Sequence, residues 1–577
     1  MEMKYFILIF LAIIISCKTE TLISQNDYPK NYFRSPVDFK ILLAGSFGEL
    51  RKNHFHSGID IRTEGVQGKP VYAVADGYVS RINISSTGFG KALYITHPNG
   101  YVSVYGHLRG FNIQISGWVK VQQYKRESFV IDIPVDPGIL KVKKGDLVAY
   151  SGNSGAAAGP HLHFELRDAA TQNAIDPLLF GFDVKDDIPP KILRVRIYPV
   201  DGNSKVNSSG KPLTFPVSGI GETCQIISKD LLEVSGNIIF GIEAFDLMNE
   251  NTMKCGVHSI ELYVDTTLYF SQSIDQFAFT ETRYVNSLLD YPLLIQFNSL
   301  IQRSYVAPNN KLRIYGKMKN RGMVNFTDDK THKVLYLVRD ESGNTSRLAF
   351  WVKSNPPALS DHKVIKPSTG TFFSCKSENN FVHDDIKLNL PKDALYDDLD
   401  FNYSVTPPVH GTYSGLHHLQ NEFTPIHSFC TLSIKPEGLP VKLTSKVLIA
   451  LEESPGHFSS QGGTWENGWV TTQIREFGNY TVMADTIPPV IRPLNIFNNK
   501  NISHQTFIMV KISDNLTGIK YYRGTLNGKW ILMEYDAKSN SLTYFFDERV
   551  KHGKNNFKLV VGDGVGNESV YTATLSR

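Results

Sequence analysis

The chain has few cysteines, no long apolar run and almost no excess charge, and each scarcity removes a class of protein. Five Cys among 577 residues are too few and too scattered to staple a disulfide-built miniprotein or to fill a Cys-rich zinc module. Lys and Arg number 60 against 56 Asp and Glu, for a net charge of +4. That leaves none of the basic surplus with which a dedicated nucleic-acid binder engages phosphate. The apolar run Tyr5–Ile15 would span about 16 Å as a helix, well short of the ~30 Å hydrocarbon core, and no later run is longer. None of the 17 His is followed by Glu, so a His-Glu-x-x-His helix is absent. Apolar residues at 41% and aromatics at 11% still suffice for packed cores, and the length suggests roughly four domains.

Lys4 followed by the short run Tyr5–Ile15 has the form of a signal-peptide hydrophobic region, so the chain is expected to be exported. Ile14-Ile15-Ser16-Cys17 resembles a bacterial lipobox, which implies a signal peptide over 1–17 and lipid on Cys17; ordinary cleavage near Gln25 is the alternative. The other four Cys either pair within domains, as Cys224–Cys255 and Cys375–Cys430, or stay as free buried thiols.

Proline pairs punctuate the rest: Asp187-Ile188-Pro189-Pro190, Asn355-Pro356-Pro357 and Asp485-Thr486-Ile487-Pro488-Pro489. Such pairs hold the chain extended and donate no ladder hydrogen bonds, which suits linkers entering edge strands. They divide the chain into 26–182, 187–353, 358–484 and 486–577. The second and fourth segments share a pattern. In each, a strand runs into an Asp-led turn, at Asp246 and at Asp514. Each then closes on an Asp-x-x-Gly-Asn turn, Asp340–Asn344 and Asp563–Asn567, where Asp and Asn can bond the local backbone. These segments resemble the immunoglobulin-like β-sandwiches of bacterial surface proteins, the second with an insertion around Phe277–Pro308. The third segment is β-rich. The first reads as an antiparallel β domain with no helix, so the expected class is all-β throughout, and residues 110–137 read as an added hairpin.

The first segment carries His56-Ser57-Gly58-Ile59-Asp60, Tyr105-Gly106-His107-Leu108 and Gly159-Pro160-His161-Leu162-His163-Phe164-Glu165. On a strand, His161 and His163 face the same side. Two imidazoles and a carboxylate are enough for a catalytic zinc site that keeps a position for water, whereas a structural site would use four protein ligands, often Cys. The imidazoles left over suit proton transfer near neutral pH. His54 is a rival ligand without the His-x-x-x-Asp spacing. His97, beside a turn, is assigned a structural role, and Glu165 is assigned to packing, with support of a ligand as the alternative.

These strings resemble the lysostaphin-type (LytM-type) zinc metallopeptidases, over about 150 residues. The resemblance implies one Zn²⁺ held by His56, Asp60 and His163, and a catalytic, non-ligand pair His107 and His161. It implies peptidoglycan stem peptides as substrate. The long insert and Pro-Pro-joined modules are similar to proteins of the Bacteroidota, implying D,D-endopeptidase activity in a Gram-negative periplasm or on an outer-membrane lipoprotein. The membrane would be met only through the lipid anchor, and no nucleic acid is expected. The alternative is a non-catalytic envelope protein that binds wall or regulates another hydrolase.

Overall fold

The computed structural model describes residues 28–355, apart from 229 and 251, and 370–577. Cys17 and Pro356-Pro357 lie outside the described residues. The fold is sheet-rich throughout, and no described helix is long and apolar enough to cross a membrane.

The N-terminal domain is built on β1 (Leu43–Gly45), β2 (Ile59–Arg62), β3 (Gly77–Ile84), β4 (Lys91–Thr96), β5 (Tyr101–Gly106), α1 (Ile113–Arg126), β6 (Ile131–Pro134) and β7 (His161–Asp168). Its main sheet runs β1-β2-β7-β5-β4-β3-β6, with every neighbouring pair antiparallel. Alternation decides the two faces of β4: Leu93 and Ile95 enter the main core, while Ala92 and Tyr94 pack in a smaller cluster with Val102 and Val104. A second sheet of three short strands, Pro70–Tyr72, Leu147–Tyr150 and Gly110–Phe111, contributes Val71, Val148 and Ala149 to the same core.

Residues 110–137 are not a hairpin. They form α1, capped by the Asn112 side chain accepting from the Ile115 N–H, and then β6 at the sheet edge. The helix buries only Ile115, Val119 and Gln123, a stripe at four-residue spacing too narrow to stand out among β-branched neighbours. Its outer side instead meets the last segment. Tyr124 bonds Asp547 and stacks edge-on to Trp530 at 5.2 Å, and the Arg549 guanidinium lies 4.0 Å over its ring.

In the second segment the 14-residue strand Leu232–Phe245 pairs antiparallel with Lys191–Pro199 and, at its start, parallel with Thr345–Ser354, so it joins the strands on its two sides into one eleven-stranded sheet around one core. The stretch read as an insertion reaches back to the first domain. Gln276–Phe277 adds an edge strand to Ala174–Ile175, and two short helices, Val285–Leu288 and Tyr291–Phe297, follow. Phe277 packs 5.0 Å from Phe47 and 5.3 Å from Phe55, in one cluster that also takes in Tyr284 and Tyr396. Residues 370–484 build two five-stranded sheets, and the last segment a four- and a five-stranded sheet around Ile508, Val510, Tyr544 and Leu559.

The proposed cysteine pairs do not form: Cys224, Cys255, Cys375 and Cys430 are free and buried. Cys224 sits in the core of the second segment, whereas Cys255 packs against that of the first. Cys375 and Cys430 share a core, but the Cys430 thiol donates to the Ser428 carbonyl at 3.6 Å. Burial raises the pKa of all four thiols, which keeps them protonated and inert.

Candidate metal centre

The register of β2 and β7 sets Asp60 directly opposite His163, so both side chains leave the same face of the sheet. His56 joins them from the turn before β2. Gly58 makes that turn possible, because a Cβ there would lie 2.2 Å from the Phe164 carbonyl oxygen. Gly45, opposite Asp60 on β1, leaves room for its carboxylate, since a Cβ would stand 3.0 Å from Oδ2.

Three donor atoms converge. His56 Nε2 is 3.1 Å from Asp60 Oδ1 and 3.1 Å from His163 Nδ1, and His163 Nδ1 is 2.9 Å from Asp60 Oδ1. One face of a tetrahedron with ~2.05 Å bonds has edges of roughly 3.3 Å, so the triangle fits zinc with little adjustment. The tautomers fit as well. His56 Nδ1–H donates to the Ser46 carbonyl at 2.7 Å, and His163 Nε2–H donates to Glu165 Oε1 at 2.8 Å. With a cation bound, both imidazoles would therefore turn a lone pair toward the common point, an orientation that outer partners of metal-ligating His enforce.

Glu165 is not simple packing. It is fully buried, and besides His163 it accepts from the Ser57 hydroxyl at 2.5 Å and from Arg167 Nε at 2.6 Å. Burial would raise its pKa, but the Arg167 charge and the His163 and Ser57 hydrogen bonds outweigh it and hold it at about 2. Burial likewise opposes charge on His163, yet Asp60 and Glu165 lift it to about 9 in the absence of a cation. Asp60 is held well below the usual carboxylate range: burial is overcome by the three surrounding imidazoles. Arg51 Nη2 stands 3.3 Å from its other oxygen and 2.9 Å from Glu49.

His107 and His161 flank this triangle with ring centres 4.8 Å apart. His107 ends β5 in a left-handed conformation, φ 57°, which turns it back over the sheet. Its Nδ1–H donates to the Ser154 carbonyl at 2.9 Å, and that of His161 donates to the Gly159 carbonyl at 2.9 Å, so in both rings Nε2 is the nitrogen left for the site. His161 Nε2 is 3.4 Å from Asp60 Oδ1. Burial, then the neighbouring His163 and His161, push the His107 pKa down to about 3. His54 is exposed and bonds only the Lys52 carbonyl, and His97 is buried between the Asp76 carbonyl and Ser103. Neither joins the triangle.

The site opens into a cleft of about 310 Å³ walled by Phe89, Ala156 and Arg51 and, from the second segment, Phe279 and Thr282. Nothing in the sequence of 277–308 signalled this. Thr282 Oγ1 accepts the Phe55 N–H at 2.7 Å, and Phe279 covers the Arg167 guanidinium at 4.3 Å. The second segment thus reaches His163 through Arg167 and Glu165.

Residues 54–124 match Peptidase family M23, and residues 370–485 match the Zu5-like domain. A metalloprotease of Haemophilus influenzae is 30% identical over 155 residues, 26% of this chain and 27% of the relative. The DD-carboxypeptidase/endopeptidase Mpg of Neisseria meningitidis is 32% identical over 112 residues, 19% of this chain and 20% of the relative. Among solved structures, a variant of the catalytic domain of the prophage-encoded M23 protein EnpA from Enterococcus faecalis is 26% identical. It covers 27% of this chain and 98% of that one, with a TM-score of 0.19. The chain spans between a fifth and about a quarter of the length of these curated relatives. The N-terminal domain of this chain is a lysostaphin-type domain of peptidase family M23.

Proposed function

We propose that the chain is an exported zinc-dependent endopeptidase that hydrolyses the peptide cross-links of peptidoglycan, with D,D specificity. The observation that carries this reading is the triangle of His56 Nε2, Asp60 Oδ1 and His163 Nδ1, with both imidazole tautomers fixed so that lone pairs converge. The names of the relatives, a metalloprotease and a DD-carboxypeptidase/endopeptidase, support the substrate class.

When bound, zinc would supply Lewis acidity and an acidified water. His56, Asp60 and His163 would hold it, a set of one hard oxygen and two nitrogens that leaves an open position. His107 and His161 would move protons at their Nε2 atoms, one taking a proton from the attacking water and the other donating to the departing amine. Glu165 would keep the His163 proton on Nε2 and away from the metal-facing nitrogen. Phe89 and Phe279 would flank the peptide and exclude water. The protein would act in the periplasm, anchored to the outer membrane through Cys17. Metabolic lipid labelling that disappears in Cys17→Ala tests the anchor.

Zinc-loaded full-length protein incubated with cross-linked muropeptide dimers, with products read by mass spectrometry, is expected to yield monomers. His163→Ala and thorough chelation should each abolish cleavage. Cleavage that survives either treatment, or intact dimers with the zinc-loaded wild type, would overturn the proposal.

A further inference from the structure

The two Asp-led turns and the two Asp-x-x-Gly-Asn turns come together in space with the Asp of the preceding Pro-Pro linker. In the second segment Asp186, Asp246 and Asp340 bring carboxylate oxygens within 4.8 Å of one another; in the last, Asp485, Asp514 and Asp563 do the same. The two sites share their construction. The linker Asp accepts the N–H of the residue two ahead, Ile188 or Ile487, each at 3.1 Å. The closing Asn donates from Nδ2 to the linker Asp carbonyl, Asn344 to Asp186 at 3.1 Å and Asn567 to Asp485 at 3.0 Å, and also to the closing Asp.

In the first triad Asp246 and Asp340 are buried and Asp186 is half-buried beside them, and carboxylates crowded in this way need a counter-charge. No ion pair among the described residues involves any of the six. Asp246 is the decisive member: it is 0% exposed, and neither of its carboxylate oxygens has a hydrogen-bond partner. One oxygen of Asp186 is likewise unpartnered, as is one of Asp514. A buried carboxylate without donors is costly enough that a native fold supplies it with a partner. Without one, burial and then the charges of Asp186 and Asp340 drive Asp246 up to about 8. The available donors are all hard oxygens, with no His or Cys among them.

We infer that the first triad, Asp186, Asp246 and Asp340, is a Ca²⁺ site joining the first linker to the second segment. Calcium takes six to eight oxygen ligands in irregular geometry, so three carboxylates supplemented by water suit it better than the strict octahedron of Mg²⁺. The site ties a linker residue to two turns of the module that follows. Calcium would therefore stiffen the joint between the first domain and the second segment, independently of the zinc centre and of the peptidase reading.

The test uses the full chain, freed of calcium with a calcium-selective chelator. Bound Ca²⁺ is then measured by equilibrium dialysis and mass spectrometry, and thermal unfolding is followed with and without Ca²⁺. Wild type is expected to bind one Ca²⁺ and to melt at a higher temperature when loaded, and Asp246→Asn should bind none. Asp246→Asn should also melt higher than wild type in calcium-free buffer, because an amide in that pocket needs neither a proton nor a cation; that readout shows the variant to be folded. Wild type that takes up no Ca²⁺ at millimolar concentration, or Asp246→Asn with undiminished Ca²⁺, would overturn the inference.

Discussion

Replacing Glu165 by Gln separates the support of His163 from its ligation of the metal. The two oxygens of Glu165 serve at least three donors inside the core: Oε1 takes His163 and Ser57, and Oε2 takes Arg167. Gln keeps the shape but has a single acceptor oxygen. If that oxygen faces His163, the amide N–H groups point at the Arg167 guanidinium; if it is flipped, they point at the His163 N–H. In either orientation a buried donor is left facing a donor. Breaking a buried ion pair by removing one partner costs about 3–5 kcal/mol. Loss of an outer partner of a metal-ligating His weakens metal affinity about 10–100-fold, or about 1.4–2.7 kcal/mol. Glu165→Gln is therefore expected to lose more in stability than in zinc affinity. Zinc affinity is read by competition with a chromophoric chelator on protein verified as folded by circular dichroism, and stability by denaturant titration of the zinc-saturated form. The double variant Glu165→Gln with Arg167→Met removes the stranded cation. It should recover most of the stability while zinc affinity stays below wild type, since a neutral amide is a weaker acceptor for the His163 proton than a carboxylate. Wild-type zinc affinity in folded Glu165→Gln would refute the reasoning and return Glu165 to a packing role.

Three further outcomes are expected. His107→Ala and His161→Ala should each keep one zinc per chain by mass spectrometry while cleavage slows by about 10²–10⁴-fold, the range of a positioned general acid or base; loss of zinc in either would make it a ligand. Phe277→Ala, which empties the space between Phe47 and Phe55, should destabilise by about 3–5 kcal/mol and expose the first domain to proteolysis; unchanged resistance would mean the edge strand is dispensable. Asp176 is buried, and its pKa is pushed up to about 7 by burial and then the Asp275 charge. Its folded pKa exceeds its unfolded value, so its contribution is fully present below about pH 4 and is lost as pH rises toward about 7. Asp176→Asn should then raise the melting temperature at pH 8 and give no gain near pH 4; an equal shift at both pH values would show that ionisation is not the cause.

The metal-facing residues were legible because their geometry is local or set by strand register. His161 and His163 share a face by period-two alternation, and Asp60 lies four residues from His56 across one turn, so the motif spacing and the spatial arrangement are nearly the same information. Glu165 lies on that same face, yet its sequence position says nothing of Ser57 or Arg167 closing around it, which is why packing looked the simpler role. Helix α1 was hidden by composition: Ile113, Ile115, Val119 and Val121 favour strands, and three buried positions in fourteen residues make a weak helical stripe. The role of 277–308 was hidden for a different reason. Its partners Phe47, Phe55 and Ala174 are more than a hundred residues away in the chain, and contacts at that separation leave no periodic trace.

Those long-range contacts change what the Pro-Pro linkers mean. Read as sequence, they separate four modules that could each stand alone. In the structure the later segments return to the first domain at several points. Gln276–Phe277 extends the edge at Ala174–Ile175, and Phe279 and Thr282 wall the cleft above His163. Further on, Lys538 of the last segment bonds the carbonyls of Asn153 and Ala157, in the loop that carries Ser154 to His107, and Glu534 pairs with Lys91 at 2.7 Å. The residues that orient both His163 and His107 are thus in contact with modules that carry no ligand themselves. A device that stiffened the first linker, as the Asp186, Asp246 and Asp340 triad would with calcium, would act on the width of the cleft without touching the zinc. The later modules belong to the geometry of the cleft as much as to any surface they bind.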